Sequence, residues 1–196
     1  ASAGKRLVER LKDMPGRKVV WVLWAGGGNL FALLDAELRP HQIEMTTGGN
    51  TLAAMVQFNR MPGMQGGTYY YYAFSRHPVN MWLVTQHYLR YQEPPDLFTA
   101  GGFSAAMALV TALKHSKGET NTETLIHTMK GMAFETPKGM MRFRAEDHQA
   151  MQSMYHFRVP LGATAGRIPD LKLVREIQAS DINVPIRNAS SSTPLS

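Results

Sequence analysis

Two stretches of this 196-residue sequence carry residue types whose spacing could do chemistry. In the first, Gly102-Phe103-Ser104-Ala105-Ala106 has the form of a hydrolase elbow with alanine at the last glycine position. Glu146-Asp147-His148 could supply its acid and base, giving acyl transfer through Ser104 and His148. An elbow, however, needs a buried strand directly before its serine, and EPPDLFTAGG is a poor strand. Close helix packing explains these small residues better. In the second, VVWVLW runs into AGGGN and then into the helical LFALLDAEL. Read as a dinucleotide loop, it lacks its third glycine, because Gly26 and Gly28 are followed by Phe31. The acid expected about 20 positions further on could only be Glu44, which sits inside a strand and not at its end. No lysine followed by serine or threonine completes a phosphate loop.

Other chemistries find little support. The seven histidines show no metalloprotease or paired spacing, and the thirteen methionines sit at core-like positions. Cysteine is absent, which excludes disulfides, thiolate metal sites and cysteine nucleophiles. Neither a metal nor a cofactor is expected. The net charge of +6 comes from 21 scattered basic residues, and the densest clusters, GRK and MRFRAED, are short or interleaved with acids. No nucleic-acid partner is expected from such a surface. No run approaches the ~20 uninterrupted apolar residues of a transmembrane helix. The opening ASAGKRLVERLKDM places Leu7, Val8, Leu11 and Met14 on one helical face, unlike the core of a signal peptide. Without an initiator methionine, the chain reads as a processed or excerpted product.

The elements that must position these residues alternate between strand and helix. Lys18–Trp24 is apolar without alternation, which predicts a strand buried on both faces. Asn29 can cap a helix over roughly 30–38, IEMTT is a second strand, and GGN leads into a helix, TLAAMVQF. The order of strand, glycines, asparagine and helix therefore occurs twice, as in a parallel sheet with crossover helices. Ligands of such sheets sit beyond the carboxyl ends of the strands, where both glycine turns fall. Free N–H groups at the helix starts favour anions there. Further on, MPGMQGG reads as a loop, TYYYYAF as a strand, and PVNMWLVTQHYLRYQ as a helix with Pro78 in its first turn. A long helix covers about 99–115 with Ala105, Ala106, Leu109, Val110 and Leu113 inward, and another spans about 122–131. GMMRFRA and SMYHFRV are strands, the latter alternating Tyr155, Phe157 and Val159 with His156 and Arg158. Hydrophobic pattern is lost after residue 187, so a disordered tail is expected over 189–196.

Beyond this α/β domain with a ligand rim, a resemblance adds more. The series VVWVLWAGGGNLFALLDAEL, IEMTTGGN, GMQGGTYYYY, PPDLFTAGGFSAAMALVTALKHS, FETPKGMMRFRAEDHQAMQSMYHFRV and VPIRN covers nearly the whole chain to about residue 188. In that order it resembles the periplasmic substrate-binding proteins of branched-chain amino-acid-type ABC transporters. The resemblance implies a type 1 periplasmic-binding-protein-like α/β fold with two lobes of parallel-type sheets flanked by helices, and a hinge. Such a protein closes on a small solute and delivers it to a membrane permease outside the cytoplasm, without catalysis. Family chains are about twice as long, so this sequence would cover roughly the C-terminal half. Residues 1–74 would form the later part of lobe two, 75–150 the C-terminal part of lobe one, and 151–188 a return to lobe two.

Ligand contacts carry over residue by residue. Amino-acid binders of the family hold the ligand ammonium with an acid after the second Gly-Gly, where this sequence has Asn50. An amide cannot pair with a cation as a carboxylate does. The loop that carries an aromatic contact in some relatives offers Ala25 and Gly26, leaving room for a bulkier aromatic or aliphatic acid. Phe98 matches a position where an aromatic ring covers the ligand.

Overall fold

The computed structural model describes residues 2–24, 30–48, 51–162, 166, 168–182 and 184–186. The chain divides into two compact units, Ala1–Tyr69 with Tyr155–Glu176, and Tyr70–Met154 with Ile177–Ser196.

The first unit is built on β1 (Lys18–Val22), β2 (Ile43–Gly48), β3 (Gln65–Thr68), β7 (Met154–Arg158) and β8 (Lys172–Ile177) in the order β1-β2-β3-β7-β8. β1, β2 and β3 run parallel, and β7 pairs antiparallel with β3. Helix α1 (Ala3–Leu11) precedes the sheet, and α2 (Leu30–Leu38) connects β1 to β2. Helix α3 (Leu52–Met55) passes into a 3-10 turn over Val56–Arg60 before β3. One row of paired residues, Val22, Thr47, Gly66 and Phe157, faces the core. The buried Thr47 hydroxyl donates to the Val22 carbonyl at 2.8 Å, tying β2 to β1. Phe58 meets Phe31 edge-on at 5.3 Å and stacks on Phe157 at 6.0 Å, filling the space under the sheet. Buried Asn59 donates to Ile168 O at 3.4 Å and accepts from Asp170 N at 3.0 Å, anchoring the approach to β8.

The second unit contains α4 (Pro78–Tyr91), α5 (Leu97–His115), α6 (Thr122–Met129) and the antiparallel strands β4 (Ala133–Thr136), β5 (Gly139–Phe143) and β6 (Ala150–Met151). Ala108 and Ala112 of α5 pack on Met132, Phe134 and Met141. Asp96 caps α5, accepting from the backbone N–H of Phe98 and Thr99. Arg144 donates to Asp147 through Nε at 2.7 Å and Nη2 at 2.5 Å, and to the carbonyls of Val184 and Pro185 at 2.8 and 3.2 Å. That clasp holds the returning chain against the turn after β5. The bond to Asp147 also raises the guanidinium pKa further above its usual value.

Several expectations need correction. β1 is covered on one face only, with Val19 and Trp21 exposed on the other. TYYYYAF is not a strand. The strand lies earlier, at Gln65–Thr68, and Phe74 N bonds to Tyr71 O in a turn. Glycines suggest a loop in sequence, but Gly66 is in the strand because the neighbouring β2 carbonyl and Phe157 leave no room for a side chain. TLAAMVQF is helical for only one α-turn. On α5 the inward residues are Ala100, Ser104, Ala108 and Ala112, spaced four apart, whereas Ala105, Ala106, Leu109 and Val110 face outward. Small side chains let the helix approach its neighbours closely, so they win the inner face despite being less apolar. The strands AFET and KLVREI, β4 and β8, were not anticipated.

Candidate functional site

The parallel register pairs Val22 with Thr47 and Gly48 with Gly67, so β1, β2 and β3 end side by side. β1 and β2, the strands that precede residues 25–29 and 49–50 in the sequence, thus end at the same edge of one sheet. Ala25, Gly26 and Asn50, together with the helix cap expected at Asn29, lie outside the described residues. On the described part of the rim, Leu23 and Trp24 follow β1, Thr51 precedes α3, and Thr68 ends β3 with Tyr69 after it. None of these side chains is charged. Thr51 caps α3, its hydroxyl accepting from Ala54 N at 3.3 Å. The small Gly48 makes room for Trp21, since a Cβ there would come within 3.2 Å of the indole.

An ion pair lies at the opposite end of the strands. Arg17 donates to Glu44 through Nε at 2.8 Å and Nη2 at 2.6 Å, just before β1 and near the start of β2. Hydrogen bonding to Arg17 holds the Glu44 carboxyl below its usual range. The pair thus adds stability above the ordinary carboxylate pKa and loses it as pH falls through the lowered value, a small effect at an exposed site. Glu44 is committed to this pair at the amino ends of the strands, so it cannot read a ribose at their carboxyl ends.

Phe98 lies in the second unit, in the first turn of α5, and its side chain is 70% exposed. Ser104 lies mid-helix in α5, buried, with its hydroxyl donating to Ala100 O at 2.7 Å. That is no strand-to-helix elbow, and the hydroxyl is occupied by the preceding turn. Asp147 is engaged by Arg144, while His148 sits at φ 60° in the turn and its N–H bonds back to Arg144 O. Among the described residues, no group of three or more His, Cys, Asp or Glu side chains could hold a metal ion.

Residues 20–166 match the family model described as periplasmic binding protein. A crystal structure of an ABC-type branched-chain amino acid transporter from Rhodopseudomonas palustris is 54% identical, with a TM-score of 0.83 over 94% of this chain and 50% of its own. Two more distant structures share the fold. The solute-binding protein of an ABC transporter from Rhodopseudomonas palustris BisB5, in complex with 3,4-dihydroxybenzoic acid, has 21% identity and a TM-score of 0.68 over 89% of this chain and 48% of its own. The leucine-, isoleucine-, valine-, threonine- and alanine-binding protein of Brucella ovis has 15% identity and a TM-score of 0.69 over 87% and 46%. Among curated proteins, nothing matches. The chain belongs to the periplasmic binding protein family, and its fold is that of the type 1 members. The chain spans about half the length of these solved structures.

Proposed function

We propose that the full-length protein is the extracytoplasmic solute-binding component of an ABC importer, and that its ligand is a small carboxylic acid, aromatic or aliphatic, without an α-ammonium group. It hands that ligand to a membrane permease. Residues 1–74 and 151–188 belong to lobe two and 75–150 to lobe one in this reading. Ala25, Gly26 and Asn50 contact the ligand from the sheet rim, and Phe98 contributes an aromatic ring.

The observation that carries the ligand class is the lack of charge among the described residues of the rim. Leu23, Trp24, Thr51, Thr68 and Tyr69 offer no carboxylate for an ammonium, and position 50 is an asparagine. Thr51 does the capping of α3, so a ligand role for Asn50 does not compete with the cap. α2 (Leu30–Leu38) follows residues 25–29 in the sequence, and a helix start on this side of a parallel sheet favours an anion. A branched-chain amino acid is the competing ligand, favoured by the description of the 54% identical relative.

The test is Asn50→Asp in the full-length protein. A carboxylate placed beside a carboxylate ligand should weaken its binding about tenfold or more, since like charges at close range cost well over 1.4 kcal/mol. Unchanged affinity by titration calorimetry would remove Asn50 from the site.

A further inference from the structure

The chain leaves the first unit after Tyr69, returns to it at Tyr155 and leaves it again after Glu176. The first two of these passages are neighbours, because Thr68 and Tyr155 are paired in the antiparallel β3–β7 ladder. Within the second unit, both passages are tied to the turn between β4 and β5, residues 136–139. The Ser75 hydroxyl donates to Pro137 O at 2.7 Å, and the Lys138 ammonium donates to Ser153 O. The turn itself is stiff. Its buried Thr136 hydroxyl donates to Gly139 O at 2.8 Å and accepts from Lys138 N at 3.1 Å, and Pro137 fixes one backbone dihedral. Gly139 sits at φ 96°, a conformation that suits glycine. Lysine in a tight hairpin turn ordinarily reaches into water, whereas Lys138 is half-buried and spends its charge on a main-chain carbonyl.

We propose that this turn braces the two neighbouring passages, and that Lys138, acting through Ser153, is a positioning residue that limits how far the units move against each other. Little chain separates the anchors. Tyr69 lies between the Thr68–Tyr155 pair and Tyr70, whose hydroxyl is held by Asn80. Met154 lies between the same pair and Ser153. Loss of either arm of the turn therefore lengthens the stretch that can bend. The consequence for ligand capture rests on the solute-binding reading above. A braced protein spends more of its time in forms competent to bind, and apparent affinity scales with that fraction.

Spin labels at Arg10→Cys in the first unit and Glu119→Cys in the second, both exposed positions, report the motion in the ligand-free full-length protein. Lys138→Met keeps the apolar stem and removes the donor. It should broaden the label-to-label distance distribution about one and a half fold or more. A distribution unchanged by Lys138→Met would overturn the proposal. Should that variant fail to fold, Ser75→Ala, which cuts the other arm, decides on the same terms. Stopped-flow mixing with benzoate and with leucine gives a second readout. Lys138→Met should slow association of the probe that wild type binds about fivefold and leave its dissociation unchanged. A lowered thermal midpoint with both rates unaltered would reduce Lys138 to a structural role and overturn the positioning one. Binding of neither probe to wild type would count against the solute-binding reading, and the label distances would still decide the brace.

Discussion

Gly66→Ala should destabilise the full-length protein by about 3 kcal/mol, a large effect for one methyl group. The added Cβ would lie 2.6 Å from the Thr47 carbonyl oxygen and 2.8 Å from Cζ of Phe157. Neither neighbour can yield cheaply. The carbonyl belongs to the β2 backbone in the parallel pairing with β3, so moving it opens the ladder beneath the rim. Phe157 is fully buried and stacked on Phe58, which in turn abuts Phe31, so the ring has no space to swing into. Gly67→Ala is the control. Its Cβ would meet nothing within 4 Å, and its stability should stay within about 0.5 kcal/mol of wild type. Urea denaturation of both variants separates crowding on the core face from a general intolerance of side chains in β3. Equal effects would show that the close approach at Gly66 does not govern the strand.

Asn80→Ala should cost a similar amount, about 3 kcal/mol, by a different route. Asn80 is buried in the first turn of α4 and uses both ends of its amide. Its Oδ1 accepts from the buried Tyr70 hydroxyl at 2.6 Å, and its Nδ2 donates to the carbonyls of Tyr72 and Ser75 at 2.8 Å each. One side chain thereby fixes the Tyr70–Ser75 stretch, where the chain enters the second unit. Truncation removes three hydrogen bonds from buried or half-buried groups at once. Tyr70→Phe removes one donor and should cost only about 1 kcal/mol. In the double variant the two losses should be less than additive, because both substitutions remove the same Tyr70–Asn80 bond. Full additivity in a double-mutant cycle would contradict the network.

How far the sequence revealed this protein differs between elements for identifiable reasons. α2 and α4 were legible because one follows a glycine run and stops at RPHQ, and the other starts at Pro78 and stops at EPPD. β2 alternates buried and exposed residues as its pattern requires. β3 was not legible, since three of its four residues are Gln, Gly and Gly, and the space that demands glycine is set by residues 19 and 91 positions away. The inward face of α5 was misread because apolarity points to Leu109 and Val110, whereas close packing selects Ala100, Ser104, Ala108 and Ala112. The family was legible from the ordered series of short motifs. The ligand contacts Ala25, Gly26, Asn50 and Phe98 all stay proposals from the resemblance, with Phe98 an exposed residue on α5.

The most direct test is a thermal-shift titration of the full-length protein, freed of any co-purified ligand, against benzoate-type acids, aliphatic carboxylic acids and leucine, isoleucine and valine. A ligand that binds only the native state at a hundredfold excess over its Kd stabilises it by about 2.7 kcal/mol, which is readily seen as a raised midpoint. One or more of the carboxylic acids should raise the midpoint, and the three amino acids should leave it unchanged. A shift with leucine, isoleucine or valine and none with the acids would contradict the reading of the uncharged rim and Asn50.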